Sequence, residues 1–345
     1  MLMKNMLRCV FVLCLLLMLK YSAFSQATGS GYAESYLQRP VGARAIGFGG
    51  AYTAVSNEPN GIFFNPAASA FLASRPQFSM MVSPMQFGRN QYALSYGQSL
   101  GSWGVAASVN TMQSAKFAAT NSNGDYLGDF SNEQYDMAVA GSWRNEFFSL
   151  GASAKYLINA LTGSGASGKT FAFDFGAKMN FMDLFTFGAS IQNIGGRIDW
   201  NSVNGKDLIP YSIRAGLATE IGINSEEYVV RSTVRGEPET VELPATQYIL
   251  VALDAVYQQN DKVPTILLGA EYSPLEIVAV RGGMSIYGEK YNINRIMPMT
   301  QWGAGFTVKP VVASLPFRFQ VDYAVAADDL ANGQVGHHLS LVMEF

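Results

Sequence analysis

Apolar and polar residues trade places at every second position over most of this chain. From Thr170 to Phe181 the odd positions are Phe171, Phe173, Phe175, Ala177, Met179 and Phe181, and the even ones are Thr170, Ala172, Asp174, Gly176, Lys178 and Asn180. Period two is the mark of a β-strand with one apolar and one polar face. Wound as a helix, the same residues would set phenylalanines beside Asp174 and Lys178 with no coherent stripe. The pattern recurs at 148–156, 185–192, 211–217, 302–309 and 317–325. Strands are expected at 77–85, 90–99, 101–112, 133–144, 147–158, 169–181, 184–193, 209–220, 247–257, 264–272, 276–286, 300–309, 316–326 and 337–345. Segment 226–235 could add a fifteenth, but single-chain bacterial barrels usually have even strand counts. Residues 222–245 are therefore expected to leave the sheet as an excursion.

An exported sandwich or solenoid would also alternate. Three features favour a membrane barrel instead. The apolar faces end in aromatics such as Trp143, Tyr156, Trp302 and Tyr323, as at interfacial girdles. The polar faces carry small residues and mixed charges, which suits a lumen. The chain ends with Leu339, Leu341, Met343 and Phe345 on one face, and such a last strand with a terminal aromatic resembles the assembly signal read by the bacterial barrel assembly machinery. In lipid every backbone group must pair, so these strands must close on themselves. The expected fold is an all-β membrane protein, an antiparallel transmembrane barrel of about 14 strands in the outer-membrane bilayer. Turns at 100–101, 145–146 and 182–183 are short and expected to be periplasmic. Loops 113–132, 159–168, 194–208, 287–299 and 327–336 are longer, rich in Gly, Ser, Asn and Asp, and expected outside.

Composition sharpens this picture. Hydrophobic residues make up 49% and charged residues 14% of the 345, against roughly 25% charged in soluble domains. The apolar residues are nonetheless spread out, and none of the runs after residue 25 would span a bilayer as a helix. Residues 1–25 read as a secretory leader, with Lys4 and Arg8 before an apolar core and small residues before a cut after Ser25. Losing them removes Lys4, Arg8 and Lys20, leaving 20 basic against 26 acidic residues. No basic run remains to bind nucleic acid. Cys9 and Cys14, the two cysteines of the chain, leave with the leader, so no thiol or disulfide chemistry is expected.

Candidate chemistry is sparse. "GSGASGKT" at 163–170 fits the phosphate-loop pattern G-x-x-x-x-G-K-[ST], but that loop must open a helix whose N–H groups face the phosphates. Here a strand follows, so no nucleotide is expected. Gly47, Gly49 and Gly50 lack dinucleotide-loop spacing. His337 and His338, the only histidines, are adjacent on a strand and point to opposite faces. No catalytic residues, metal ligands or cofactor site are expected, and the chain reads as a non-enzyme.

Residues 26–76 do not alternate. Asn65 followed by Pro66 is a good helix start, N-cap then first helical position, and "AASAFLAS" supplies a short helix stopping before Pro76. "GARAIGFGGAYTAVSNEPNGIFFNPAAS" resembles the N-terminal signature of the PorV/PorQ family of outer-membrane barrels, itself distantly similar to FadL-type transporters. Gly42, Arg44, Gly47, Gly49, Gly50, Tyr52, Asn65 and Pro66 carry the match; "NPAAS" departs slightly from the family's commoner "NPAGL". The resemblance implies a fourteen-stranded barrel (77–345) whose N-terminal segment (26–76) folds into the lumen as a plug. There Arg44 either pairs with an inward carboxylate, Asp174, Glu271 or Asp322, or is solvated at the barrel mouth. Two roles follow from it. Relatives in type IX protein secretion imply a shuttle whose outer loops accept the C-terminal domains of exported cargo from a translocon. The FadL likeness implies passage of small hydrophobic molecules. The mostly polar inward positions favour the shuttle.

Overall fold

The structure is a computed structural model, and it describes residues 34–181, 184–201, 206–223, 227–231, 238–242, 247–259, 261, 263–287, 299–310, 315–328 and 334–345. The leader expected at 1–25, the turn at 182–183 and most of the loop 287–299 lie outside the described residues.

Fourteen strands close into one antiparallel barrel: β1 (Gln77–Pro84), β2 (Asn90–Leu100), β3 (Trp103–Gln113), β5 (Tyr126–Arg144), β6 (Phe148–Thr162), β7 (Ala166–Phe181), β8 (Phe185–Ile194), β11 (Ser212–Gly222), β14 (Tyr248–Gln258), β15 (Thr265–Leu275), β16 (Val278–Tyr287), β17 (Met299–Val308), β18 (Arg318–Asp328) and β19 (Gln334–Glu344). Each pairs with the next, and β1 pairs with β19 from Gln77↔Glu344 to Val82↔Leu339. Each of the fourteen overlaps an expected segment. Alternation fixes register because a slip of one residue would turn every side chain to the other face.

The faces are inverted relative to a soluble protein. On β7, Phe171, Phe173 and Phe175 are 64%, 49% and 49% exposed, while the intervening Ala172 and Asp174 are both at 0%. Large apolar side chains therefore cover the outside on every side of the cylinder, which is a bilayer-facing surface. The chain is a barrel of the bacterial outer membrane. At the closing seam the Phe345 ring lies 5.8 Å from Phe78 and 5.3 Å from Phe317, and the Phe345 N–H donates to the Pro76 carbonyl.

Three differences from expectation stand out. The segment 113–132 is a hairpin, β4 (Phe117–Thr120) against the first residues of β5, turning at Gly124 with φ 87°. Segment 194–208 likewise holds β9 (Arg197–Trp200) and β10 (Lys206–Leu208), which pair with each other. Short strands suit these Gly/Asn-turned stretches because β5–β7, at 19, 15 and 16 residues, run past the 9–11 residues that a bilayer requires and offer edges to extend. The helix expected after Asn65 is a 3₁₀ segment, Pro66–Phe71, ending earlier than Pro76. Away from the barrel sheet, β12 (Glu227–Arg231) and β13 (Pro238–Glu242) form a two-stranded ribbon of their own.

Candidate functional site

Residues 34–76 fill the lumen. A one-turn helix, α1 (Ala43–Gly47), and 3₁₀ segments at Pro59–Phe63 and Pro66–Phe71 are largely buried there, and a further 3₁₀ segment, Ser35–Gln38, buries only Tyr36. Such short, irregular elements fit a wall that is itself polar: they satisfy their backbone through side chains reaching in from the strands. The Ala43 N–H donates to Ser340 Oγ, the Phe64 carbonyl accepts from Ser190, and the Ala67 carbonyl accepts from Ser149. Apolar contacts are local. Phe48, Tyr52, Val55 and Phe64 pack with Ala218, Leu250, Ala252 and Leu267, while Ile62 meets Ala106, Ala138 and Ala140.

The plug backbone also lies directly against the wall. A Cβ at Gly104, Gly151, Gly176, Gly188, Gly269 or Gly283 would run into plug atoms, so glycines on six strands form a seat around the lumen. Gly49 shows the reciprocal case. Its φ is +67°, and a Cβ there would stand 2.5 Å from the Met284 backbone nitrogen.

All eight residues of the N-terminal run sit in this plug. Gly42, at φ 99°, donates its N–H to Met81 Sδ at 3.1 Å. Gly47 packs on the Arg281 side chain, and Gly50, at φ 79°, accepts from Arg214 at 3.0 Å. Asn65 caps the Pro66–Phe71 segment, its Oδ1 accepting from Ala67 N–H at 3.1 Å, while its amide donates to Thr53 O and, on β7, Ala177 O. Tyr52 is fully buried, 5.2 Å from the Phe64 ring.

Arg44 pairs with Glu271, one of the three carboxylates considered for it. Its Nη2 reaches Glu271 Oε1 at 2.8 Å and its Nε reaches Oε2 at 3.1 Å, while Nη1 donates to Asn57 at 2.6 Å and Tyr52 at 3.3 Å. Arg281 joins Glu271 from the other side at 2.9 Å and links it to Asp322 at 3.2 Å; Thr307 also donates to Asp322. Asp174 pairs instead with Lys155 at 2.8 Å.

Several functional side chains escaped sequence reading. Arg214 bridges Thr53, Gly50 O and Asp254. Lys178 donates to Val55 O and Ser56 O. Glu34 accepts from Asn159 at 2.6 Å and Gln134 at 3.2 Å, and burial pushes its carboxyl up to about 7. The available signal was a charge on an inward strand position, which Arg214, Asp254, Lys178 and Arg281 all satisfy. Of the histidines, His338 faces inward, with Nδ1 2.6 Å from the hydroxyl of fully buried Ser83, and His337 faces outward against Tyr323.

Between the plug and the long-loop rim lies a cavity of about 710 Å³. Tyr36, Leu37, Val41, Ile46, Phe63, Phe64 and Met112 give it apolar wall, and Arg89, Gln91, Asn110, Gln134 and Asp136 give it polar wall. Its size falls in the range of small-molecule sites.

No protein-family profile matches the chain, and neither does any curated protein. Solved structures do. The toluene transporter TodX of Pseudomonas putida is 13% identical with a TM-score of 0.52, over 88% of this chain and 97% of that one. The deltaS2 mutant of the TodX monoaromatic hydrocarbon channel gives 12% and 0.53 over the same shares. A Pseudomonas aeruginosa FadL homologue gives 12% and 0.49, over 87% and 97%. At these identities the TodX likeness is one of fold: a closed barrel traced over nearly its whole length.

Proposed function

We propose that this barrel carries small hydrophobic molecules across the outer membrane, with the cavity as their holding site and the plug as the element that must shift to release them. The observation that carries the reading is the cavity itself. It has aromatic and aliphatic wall from Tyr36, Phe63, Phe64 and Ile46, polar and charged wall from groups such as Arg89, Asp136 and Lys155 that would orient a guest, and a floor made by the plug. The fold shared with the toluene transporter TodX supports the same reading. The test is uptake of a monoaromatic hydrocarbon and of a long-chain fatty acid by vesicles bearing the purified barrel. Uptake of either above protein-free vesicles, reduced by Phe63→Asp, is the expected result. A folded barrel that passes neither would sink the proposal.

A second reading rests on the N-terminal resemblance and on the projecting strands β5–β7. Phe117, Tyr126 and Leu127, at 50%, 64% and 61% exposure, stand on the projecting hairpin, and exposed apolar groups of this kind suit docking to protein. In this reading the chain is a PorV/PorQ-type shuttle of type IX secretion that binds cargo C-terminal domains through its outer loops and meets a translocon. Co-purification of secreted proteins with a common C-terminal β domain supports it; recovery of the barrel without them counts against it.

A further inference from the structure

The ion cluster that anchors the plug contains more acid than base. Arg44 and Arg281 supply two guanidinium groups, paired with Glu271 and Asp322, and Arg281 Nη2 is buried without a hydrogen-bond partner. A third carboxyl, Glu58, stands at the start of the 3₁₀ segment Pro59–Phe63 and is 6% exposed. Its Oε1 has only a long contact, 3.5 Å, from Asn60, and its Oε2 has no hydrogen-bond partner. An ionised carboxylate so placed would be a buried, unmatched charge, which proteins avoid by keeping the proton.

Burial, with the Asp322 charge second, outweighs the pull of Arg44 and Arg281 on this carboxyl. The charged or titratable groups facing Glu58 are Asp322 of β18, Arg281 of β16, and Arg44 and Tyr52 of the plug. Glu271 of β15 sits behind both arginines, with Tyr248 of β14 donating to it at 3.0 Å. The remaining walls of this turn are β1, β2 and β3, none of which contains an Asp, Glu, Lys, Arg or His. They offer Ser79 and Ser95, both spent on Asn60.

We infer that docking of the plug is coupled to one proton held on Glu58, so that the plug is fastened in acid and loosened as the medium becomes neutral. The sign follows from linkage. Burial, with the Asp322 charge second, raises the docked carboxyl from 4.5 to about 7. A released plug returns Glu58 to water and to its ordinary range. Docking is therefore fully favoured below pH 4.5 and weakens as pH rises towards 7, by about tenfold per pH unit. Above that it is level. The inference concerns the plug and holds whichever molecule passes.

Hydrogen exchange over residues 43–71 in the full barrel, wild type against Glu58→Gln, tests it. Taking the ratio at each pH cancels the intrinsic pH dependence of exchange. The wild-type rate relative to the variant should climb about tenfold per unit from pH 5 to 7 and then flatten. A constant ratio overturns the inference, as does a slope that survives in Glu58→Gln but vanishes in Glu34→Gln. If Glu58→Gln does not insert, Glu34→Gln decides in its place: with that second proton removed, exchange at 43–71 must still steepen with pH beyond that of an exposed turn such as 101–102, and parallel curves overturn it. A barrel that transports nothing yet shows the slope sinks the transport reading and leaves the proton link standing. One that transports without the slope does the reverse.

Discussion

Arg44→Met is the sharpest perturbation of the plug, because methionine keeps much of the stem and removes the charge. Arg44 makes two hydrogen bonds to Glu271, at 2.8 and 3.1 Å, and one to Asn57 at 2.6 Å. Breaking a buried ion pair from one side costs about 3–5 kcal/mol, since the remaining charge stays buried. Here the lower figure applies. Glu271 keeps Arg281 at 2.9 Å and Tyr248 at 3.0 Å, so its charge is not stranded. About 3 kcal/mol corresponds to roughly two powers of ten in the docking equilibrium. The barrel wall loses no strand pairing, so the loss should be confined to residues 34–76. Hydrogen exchange by mass spectrometry reads this directly: amides at 43–71 should exchange about a hundredfold faster in Arg44→Met, while β1–β3 amides stay at wild-type rates. Glu271→Gln leaves Arg44 with only the neutral Asn57 and Tyr52 and should cost more, towards about 5 kcal/mol, and the double variant should lose less than the sum. Wild-type protection at 43–71 in Arg44→Met, within a factor of three or so, would refute the claim that this pair fastens the plug.

Three further outcomes follow from named contacts. Gly49→Ala places a methyl 2.5 Å from Met284 N on a backbone with φ +67°, so the plug should undock and single-channel recordings should show open conductance that wild type lacks; a closed variant would count against the glycine seat. Phe345→Ala removes two ring contacts at the seam, together about 1–3 kcal/mol, and should lower the yield of folded, heat-modifiable barrel without altering plug exchange. Glu34, pushed up to about 7 by burial, keeps its proton when docked, so its contribution is complete below pH 4.5 and lost by about pH 7. Protease cleavage after Arg39 should then accelerate over that window more steeply in wild type than in Glu34→Gln, and equal slopes would count against the Glu34 contribution.

The wall was far more legible than its contents. A strand between lipid and lumen must alternate, and it does so residue by residue, which is why all fourteen segments could be placed from 77 to 345. Loop-end structure was less readable: β4 and β9 are four-residue strands, too short for alternation to register, and they exist because longer neighbours extend an edge to them. The plug has no period at all. Asn65–Pro66 marked one cap through local chemistry, and the side of the plug that meets the wall was visible only as an excess of small residues. The partner of Arg44 lies 227 residues away, and three inward carboxylates were equally open to it. Glu271 is the partner because α1 lies against β17 and β18, with Gly303 under Ile46, and no single strand reveals that.

The wall also explains why the plug is held by polar groups. The lumen wall presents Ser, Asn, Gln and charged side chains inward, so a plug held by apolar burial alone would leave those groups unpaired at about 1–3 kcal/mol each. Buried ion pairs repay their desolvation only when the geometry is good, and their net contribution is small beside their gross attraction. A plug held by Arg44–Glu271, Arg214–Asp254 and Lys178 is thus fixed in one orientation without being bound irretrievably. Pulling it away returns Arg44 and Glu58 to water and exposes inward groups that water can also satisfy. A greasy plug in a greasy bore would have to expose its whole apolar surface to move. The polar bore counted in the sequence reading as evidence against passage of hydrophobic molecules; in the folded barrel it fixes the position of the plug beneath a cavity of mixed apolar and polar wall, and on the proposed transport reading it is what would let that floor leave.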